Sequence, residues 1–165
     1  MLNTKKHQGF TVHYDKPTNE LITPIKISLI LTTDTKYDNA LIEIEALWDT
    51  GAIVTCIKPT LWERLKLVPF DAANSIELAG IGGRVTTNFT FVNLFLTPEL
   101  ETEYCQVYSA DFPGSADMLI GMNVIGLGDF AICNADDKTT FSFAMPPFPD
   151  KIDLAEKAKL VNKQS

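Results

Sequence analysis

Apolar and polar residues alternate through much of this chain, and that period of two dominates the reading. In "PIKISLILTT" (residues 24–33) the apolar positions are Ile25, Ile27, Leu29 and Leu31, the pattern of a half-buried strand. "DTKYDN" follows as a turn. In "ALIEIEALWD" the alternation resumes, with Leu41 or Ile42, Ile44 and Ala46 set against Glu43 and Glu45. The two strands are predicted to form a hairpin. Upstream, "GFTVHY" (residues 9–14) alternates weakly and reads as an edge strand, closed by the turn "DKPTNE". Downstream, "SIEL" and "VTTNFTFVNLFL" read as two strands flanking "AGIGG". "EYCQVYSADF" and "ADMLIG" are further strands, and "DFAICN" and "TTFSFAM" are joined by "ADDK" as a hairpin-like turn.

Helical signals are few. "PTLWERLKL" (residues 59–67) begins with a proline suited to a first helical turn, and Leu61, Trp62 and Leu65 share one face. "MNVIGLG" has room for about two turns closed by glycine. The tail changes character at Pro146: "PPFP" breaks structure, and the polar "DKIDLAEKAKLVNKQS" places Ile152, Ala155 and Ala158 at helical spacing, a short terminal helix or a frayed tail. No internal repeat is present. Closely spaced antiparallel strands with one or two short helices predict an all-β chain, closed or sandwiched. Residues 1–23 read as an N-terminal extension, 24–145 as the domain and 146–165 as a C-terminal tail.

Composition narrows the function. The 165 residues are 45% apolar and 21% charged, so a core is affordable and disorder is excluded. The net charge of -7 argues against nucleic acid as a partner. "MLNTKKHQGF" lacks the apolar stretch of a secretory signal, and no apolar run is long enough to span a membrane. Cys56, Cys105 and Cys133 are odd in number, widely spaced and set in apolar segments, which predicts buried, reduced thiols and a cytoplasmic location. No metal-ligand spacing is present, neither metal nor cofactor is expected, and His7 and His13 read as surface or structural residues.

"LWDTGAIVT" (residues 47–55) interrupts a strand with Asp49 and Gly51, both poor strand residues. A glycine with access to unusual torsions would let Asp49-Thr50-Gly51 close a tight loop at the strand end. That loop would aim a carboxylate and free backbone N–H groups at one point, with the Thr50 hydroxyl available to lock it. By itself the tripeptide is an ordinary turn more often than a site.

Context makes it specific. Leu47 and Trp48 precede the tripeptide, and Ala52 and a β-branched run ending in Thr55 follow it. This resembles the active-site stretch of the retropepsin-like aspartic proteases, the family of the retroviral proteases. "MLIGMNVI" (residues 118–125) is similar to that family's apolar-apolar-glycine segment, with Leu119, Ile120 and Gly121 packing beneath the Asp loop. "GIGG" (Gly80, Ile81, Gly82, Gly83) is similar to its glycine-rich flap tip. The three occur in family order, the resemblance spans about residues 24–145, and "LIGMNVIGLGDFAI" also resembles uncharacterised bacterial members.

The resemblance implies an all-β, closed barrel-like acid-protease (retropepsin) fold and an aspartic endopeptidase acting on peptide or protein substrates. Such chemistry needs two carboxylates, and the chain holds a single Asp-Thr-Gly. The implied solution is a homodimer in which Asp49 of each chain meets its copy. Thr50 would then bond across the axis, Gly51 and Ala52 would support the loop, and the Ile81 N–H would face substrate. Two departures stand out. Where many retroviral relatives carry an Asp after the motif alanine and an Arg after the second-motif glycine, this chain has Ile53 and Met122. Both charges are absent together, which leaves neither unpaired and predicts an apolar contact in place of the ion pair. The termini also differ, so the family's dimer contacts do not transfer. A non-catalytic interaction or assembly module on the same fold is the alternative reading.

Overall fold

The computed structural model describes residues 6–30, 41–71, 75–80 and 83–163. Six strands close into a barrel. β2 (Leu21–Leu29) and β3 (Ile42–Trp48) pair antiparallel, with Ile25 opposite Ile44 and Thr23 opposite Ala46. β4 (Thr55–Ile57), β7 (Phe89–Phe95), β8 (Glu101–Ser109) and β9 (Met118–Ile120) complete it in the order β2-β3-β9-β4-β8-β7. The alternation read from the sequence faces inward as expected: Ile25, Ile27, Ile44 and Ala46 are buried, while Glu43 and Glu45 are exposed. The predicted "DTKYDN" turn and Leu31 lie outside the described residues.

Beside the barrel lies an antiparallel sheet of β1 (Gln8–His13), β11 (Lys138–Met145) and β10 (Asp129–Ala135), in the order β1-β11-β10. β10 and β11 join through Asp136 and Asp137, both at positive φ, as a two-residue hairpin turn requires. One face of this sheet presents Phe10, Phe130, Phe141 and Phe143 to Trp48 at the end of β3, with ring centroids between 5.0 and 6.2 Å from the indole. The Trp48 Nε1–H donates to Thr23 Oγ1 at 2.8 Å, so the buried indole keeps a polar partner. This aromatic packing fastens the small sheet to the strand that leads into Asp49.

The stretch "VTTNFTFVNLFL" is two strands rather than one. β6 (Gly83–Thr87) pairs with β5 (Ile76–Gly80) in a separate hairpin, while β7 belongs to the barrel. The break falls at Asn88, where Thr87 Oγ1 donates to the Ser109 carbonyl and the Asn88 carbonyl accepts the Ser109 N–H. Both partners lie on β8, a contact invisible to local pattern.

Helix α1 (Pro59–Arg64) is shorter than its sequence pattern, ending before Lys66 at positive φ. Leu61 is buried, and Trp62, Leu65 and Leu67 pack at the edge of the core. α2 (Met122–Ile125) is a single turn following β9. The tail forms α3 (Leu154–Asn162), capped by Asp153, which accepts the Glu156 N–H, and all its residues are exposed. All three cysteines are free. Cys56 and Cys105 are buried, but Cys133 is exposed, because it stands on the outward face of β10. No helix among the described residues is long and apolar enough to cross a membrane.

Candidate active site

Asp49 sits where β3 leaves the barrel. β3 runs parallel to β9, with Trp48 opposite Ile120, and the Asp49 N–H continues the ladder to the Ile120 carbonyl at 3.0 Å. The chain then turns at once: the Gly51 N–H donates to Asp49 Oδ1 at 2.8 Å, and the Ala52 N–H to the Asp49 carbonyl at 3.2 Å. The carboxylate is thereby oriented by its own loop. Among the described residues it forms no ion pair.

Gly51 was expected to supply unusual torsions, yet its φ is not in the positive range. Its role is space. A Cβ there would lie 3.1 Å from Asp49 Oδ1, crowding the oxygen that its own N–H serves. Thr50 is exposed and Asp49 half-buried. Both line a cleft of about 250 Å³ together with Thr18, Asn19, Phe130 and Ile132.

The second motif lies directly beneath. Leu119 and Ile120 are buried on β9. A Cβ on Gly121 would collide with the Val54 carbonyl and stand 2.9 Å from that of Ala52, so only glycine permits this approach. Backbone bonds tie the two segments: the Met122 N–H donates to the Ala52 carbonyl at 2.8 Å and the Asn123 N–H to the Ile53 carbonyl at 3.1 Å. The apolar contact expected between Ile53 and Met122 is not what joins them. Ile53 is 82% exposed and Met122 42%, and these backbone bonds do the joining.

A polar clamp completes the support. The buried Thr55 hydroxyl accepts the Gly121 N–H at 3.1 Å and donates to Asn123 Oδ1 at 2.7 Å, while Asn123 Nδ2 donates to the Gln106 carbonyl at 3.2 Å. Thr55 and Asn123 thus link β4, α2 and β8 under the Asp loop. Asn123 was not singled out from the sequence. Its signal was there, as the one polar side chain in "MLIGMNVI".

The third motif forms a hairpin. Gly80 pairs with Gly83, and Gly83 has φ +106°, a conformation that L side chains rarely adopt. Ile81 and Gly82, the expected tip, lie outside the described residues. At the base, Ile76 and Leu78 pack on a cluster built from Cys56, Tyr108 and Leu119 that also holds Ala52 and Val54. The hairpin is therefore rooted on the segment that carries the Asp loop. Burial pushes the Cys56 thiol up to about 11 and the Cys105 thiol up to about 12, so neither supplies a thiolate near neutral pH.

A family model described as gag-polyprotein putative aspartyl protease matches residues 38–126, more than half of the chain, and the chain belongs to that family. Among solved structures it is similar to a retropepsin-like aspartic protease from Rickettsia conorii, at 12% identity and a TM-score of 0.52, over 86% of this chain and 97% of that one. It also matches EIAV protease in complex with the inhibitor HBY-793, at 19% identity and a TM-score of 0.47, over 70% of this chain and 92% of that one. No curated protein matches the chain significantly. The fold is that of the retropepsin-like aspartic proteases.

Proposed function

We propose that the chain is an aspartic endopeptidase whose active site forms when two copies bring their Asp49 carboxylates together. The observation that carries this reading is the placement of Asp49. It is fixed by three backbone hydrogen bonds at the mouth of a cleft, clear of the hydrophobic core and without a counter-ion among the described residues. A structural aspartate at a strand end would find a cationic or capping partner. Among the described residues, the carboxylate of this one is bonded to the Gly51 N–H of its own turn and to no other group.

Two carboxylates in contact cannot both ionise easily, so the pair holds one proton over a range of pH. The protonated Asp49 donates to the carbonyl oxygen of the scissile peptide. The ionised one takes a proton from water as the water oxygen bonds to the carbonyl carbon. Proton transfer to the amide nitrogen then breaks the C–N bond, releasing an acid and an amine. The Gly51 N–H holds one carboxylate oxygen in place during these steps. The β5–β6 hairpin, rooted on the cluster containing Ala52 and Val54, covers the bound peptide.

Digestion of a peptide library from acidic to neutral pH, beside the Asp49→Asn variant, tests the proposal. The wild type is expected to cleave with a bell-shaped pH profile. The variant is expected to lose cleavage while melting as the wild type does, since an Asn oxygen can still accept the Gly51 N–H. Cleavage retained by a clean Asn variant would place the active residue elsewhere. No cleavage by either protein would favour the assembly module.

A further inference from the structure

The loop of residues 110–117 joins β8 to β9, and its neck closes on two residues at the end of β4. The Ile57 carbonyl accepts the Ala110 N–H at 3.1 Å, and the Lys58 N–H donates to the Asp117 carbonyl at 3.0 Å. From that neck the Lys58 side chain reaches into the loop. Its ammonium donates to the Gly114 carbonyl and stands 5.0 Å from the centroid of the Phe112 ring. Gly114 has φ +92° with open space around it, a left-handed torsion at the turn whose carbonyl Lys58 binds. Two carboxylates lie in the same loop, and among the described residues Lys58 forms an ion pair with neither. Each is engaged by a backbone N–H instead. Asp111 Oδ1 accepts that of Phe112 at 3.1 Å, and Asp117 Oδ2 that of Glu45 at 3.4 Å. The cation is left to a carbonyl and an aromatic face, and both attractions draw on its charge.

Phe112 carries this latch toward the candidate active site. Its half-buried ring packs on the cluster of Cys56, Tyr108 and Leu119. Ala52 and Val54, which follow the Asp loop, pack on the same cluster, and so do Ile76 and Leu78 at the root of the β5–β6 hairpin. Hairpin and loop therefore meet one apolar floor beside the Asp loop. The hairpin reaches it through a strand, whereas Phe112 reaches it from an irregular loop that depends on side chains for its shape.

We propose that Lys58 is a positioning residue for peptide binding: it latches the loop so that Phe112 bounds the space for an apolar substrate side chain next to the scissile bond. This rests on the protease reading above and adds a residue that acts through Phe112 and not on the reacting atoms. The latch holds the loop in place in the free protein, so a peptide binds without first having to order it. Loss of the latch weakens binding and leaves the chemical step alone.

Lys58→Met keeps the stem and removes the charge. Lys58→Arg keeps a cation that stacks on rings and donates to carbonyls. Two readouts separate the latch from its use. The first needs no catalysis: hydrogen exchange of the bonded Ala110, Phe112 and Asp117 amides, followed by NMR in the full chain. Exchange is expected to quicken in Lys58→Met and to keep the wild-type rate in Lys58→Arg. The second is the cleavage of one peptide that the wild type cuts. Lys58→Met should raise KM by roughly threefold to tenfold with kcat kept within about twofold, and Lys58→Arg should restore the wild-type KM. Phe112→Ala should change the preference between valine and phenylalanine beside the scissile bond by roughly tenfold, a shift that a merely destabilised fold does not produce. Unchanged exchange in Lys58→Met would overturn the latch, whether or not the protein cleaves peptides. Faster exchange with KM and side-chain preference unchanged, in a wild type that cleaves, would overturn the role in binding and leave the protease reading standing. Faster exchange in a wild type that cleaves nothing would overturn the protease reading and this use of the latch together.

Discussion

Asp49 is held by bonds to the Ile120 carbonyl, to the Gly51 N–H and to the Ala52 N–H, and the shape of that turn depends on what lies below it. Thr55 and Asn123 supply the floor. Asn123→Ala would leave the buried Thr55 hydroxyl without its acceptor, at a cost of about 1–3 kcal/mol, while the Gln106 carbonyl, whose bond to the exposed Asn123 lies at the surface, can turn to water. Urea denaturation should show that loss, and turnover should fall further than stability if the clamp also aims the loop. The thiols make a second prediction. Cys56 and Cys105 have folded-state values raised by burial from the ordinary 9.0 to about 11 and about 12. The unfolded chain therefore releases these protons first. Their contribution to stability is fully present below about pH 9 and declines as pH rises through 11 to 12. Urea midpoints measured across that window should fall, and should fall less in a Cys105→Ala variant compared with its own neutral value. Native alkylation near neutral pH should label Cys133 alone, the one exposed thiol.

At the scale of elements, the proposed function gives the β5–β6 hairpin the work of covering the bound peptide. Gly83→Val places a β-branched side chain at φ +106°, with open space around it but strained torsions. Because Gly83 is exposed and the hairpin forms its own two-stranded sheet, melting should shift little while turnover per folded molecule drops. A variant that melts early yet keeps normal turnover would make Gly83 a residue of the fold and not of the gate. The sequence was readable where local pattern carries the information. Ile25 and Ile27 against Ile44 and Ala46 announce a hairpin because a half-buried strand has a period of two. Asp136–Asp137 was legible as a turn from its polar composition. Legibility failed where a distant segment decides. Ser109 on β8 splits "VTTNFTFVNLFL" at Asn88, and the Ala52 and Ile53 carbonyls bind α2 with no help from the side chains at Ile53 and Met122. Gly51 was found but misread, for its need is room beside Asp49 Oδ1 and not a special torsion. Cys133 looked buried in "DFAICN" because alternation does not say which face of an outer strand is covered.

For the whole molecule, one Asp-Thr-Gly in 165 residues is the ground on which we propose that activity is a property of two chains, and this is the claim most exposed to test. The most direct measurement mixes subunits. Wild-type protein at a concentration well above its dimer dissociation constant is titrated with Asp49→Asn protein, allowed to exchange, and assayed for peptide cleavage. A mixed dimer has one carboxylate and one amide, and cannot hold the shared proton or activate water. Activity per wild-type chain should therefore fall with the square-law statistics of a dimer: in an equal mixture about a quarter of the dimers are fully wild type, and activity per wild-type chain halves. Activity per wild-type chain that stays constant as the variant is added, under conditions where mixed dimers are shown to form, would contradict a site shared between two Asp49 carboxylates.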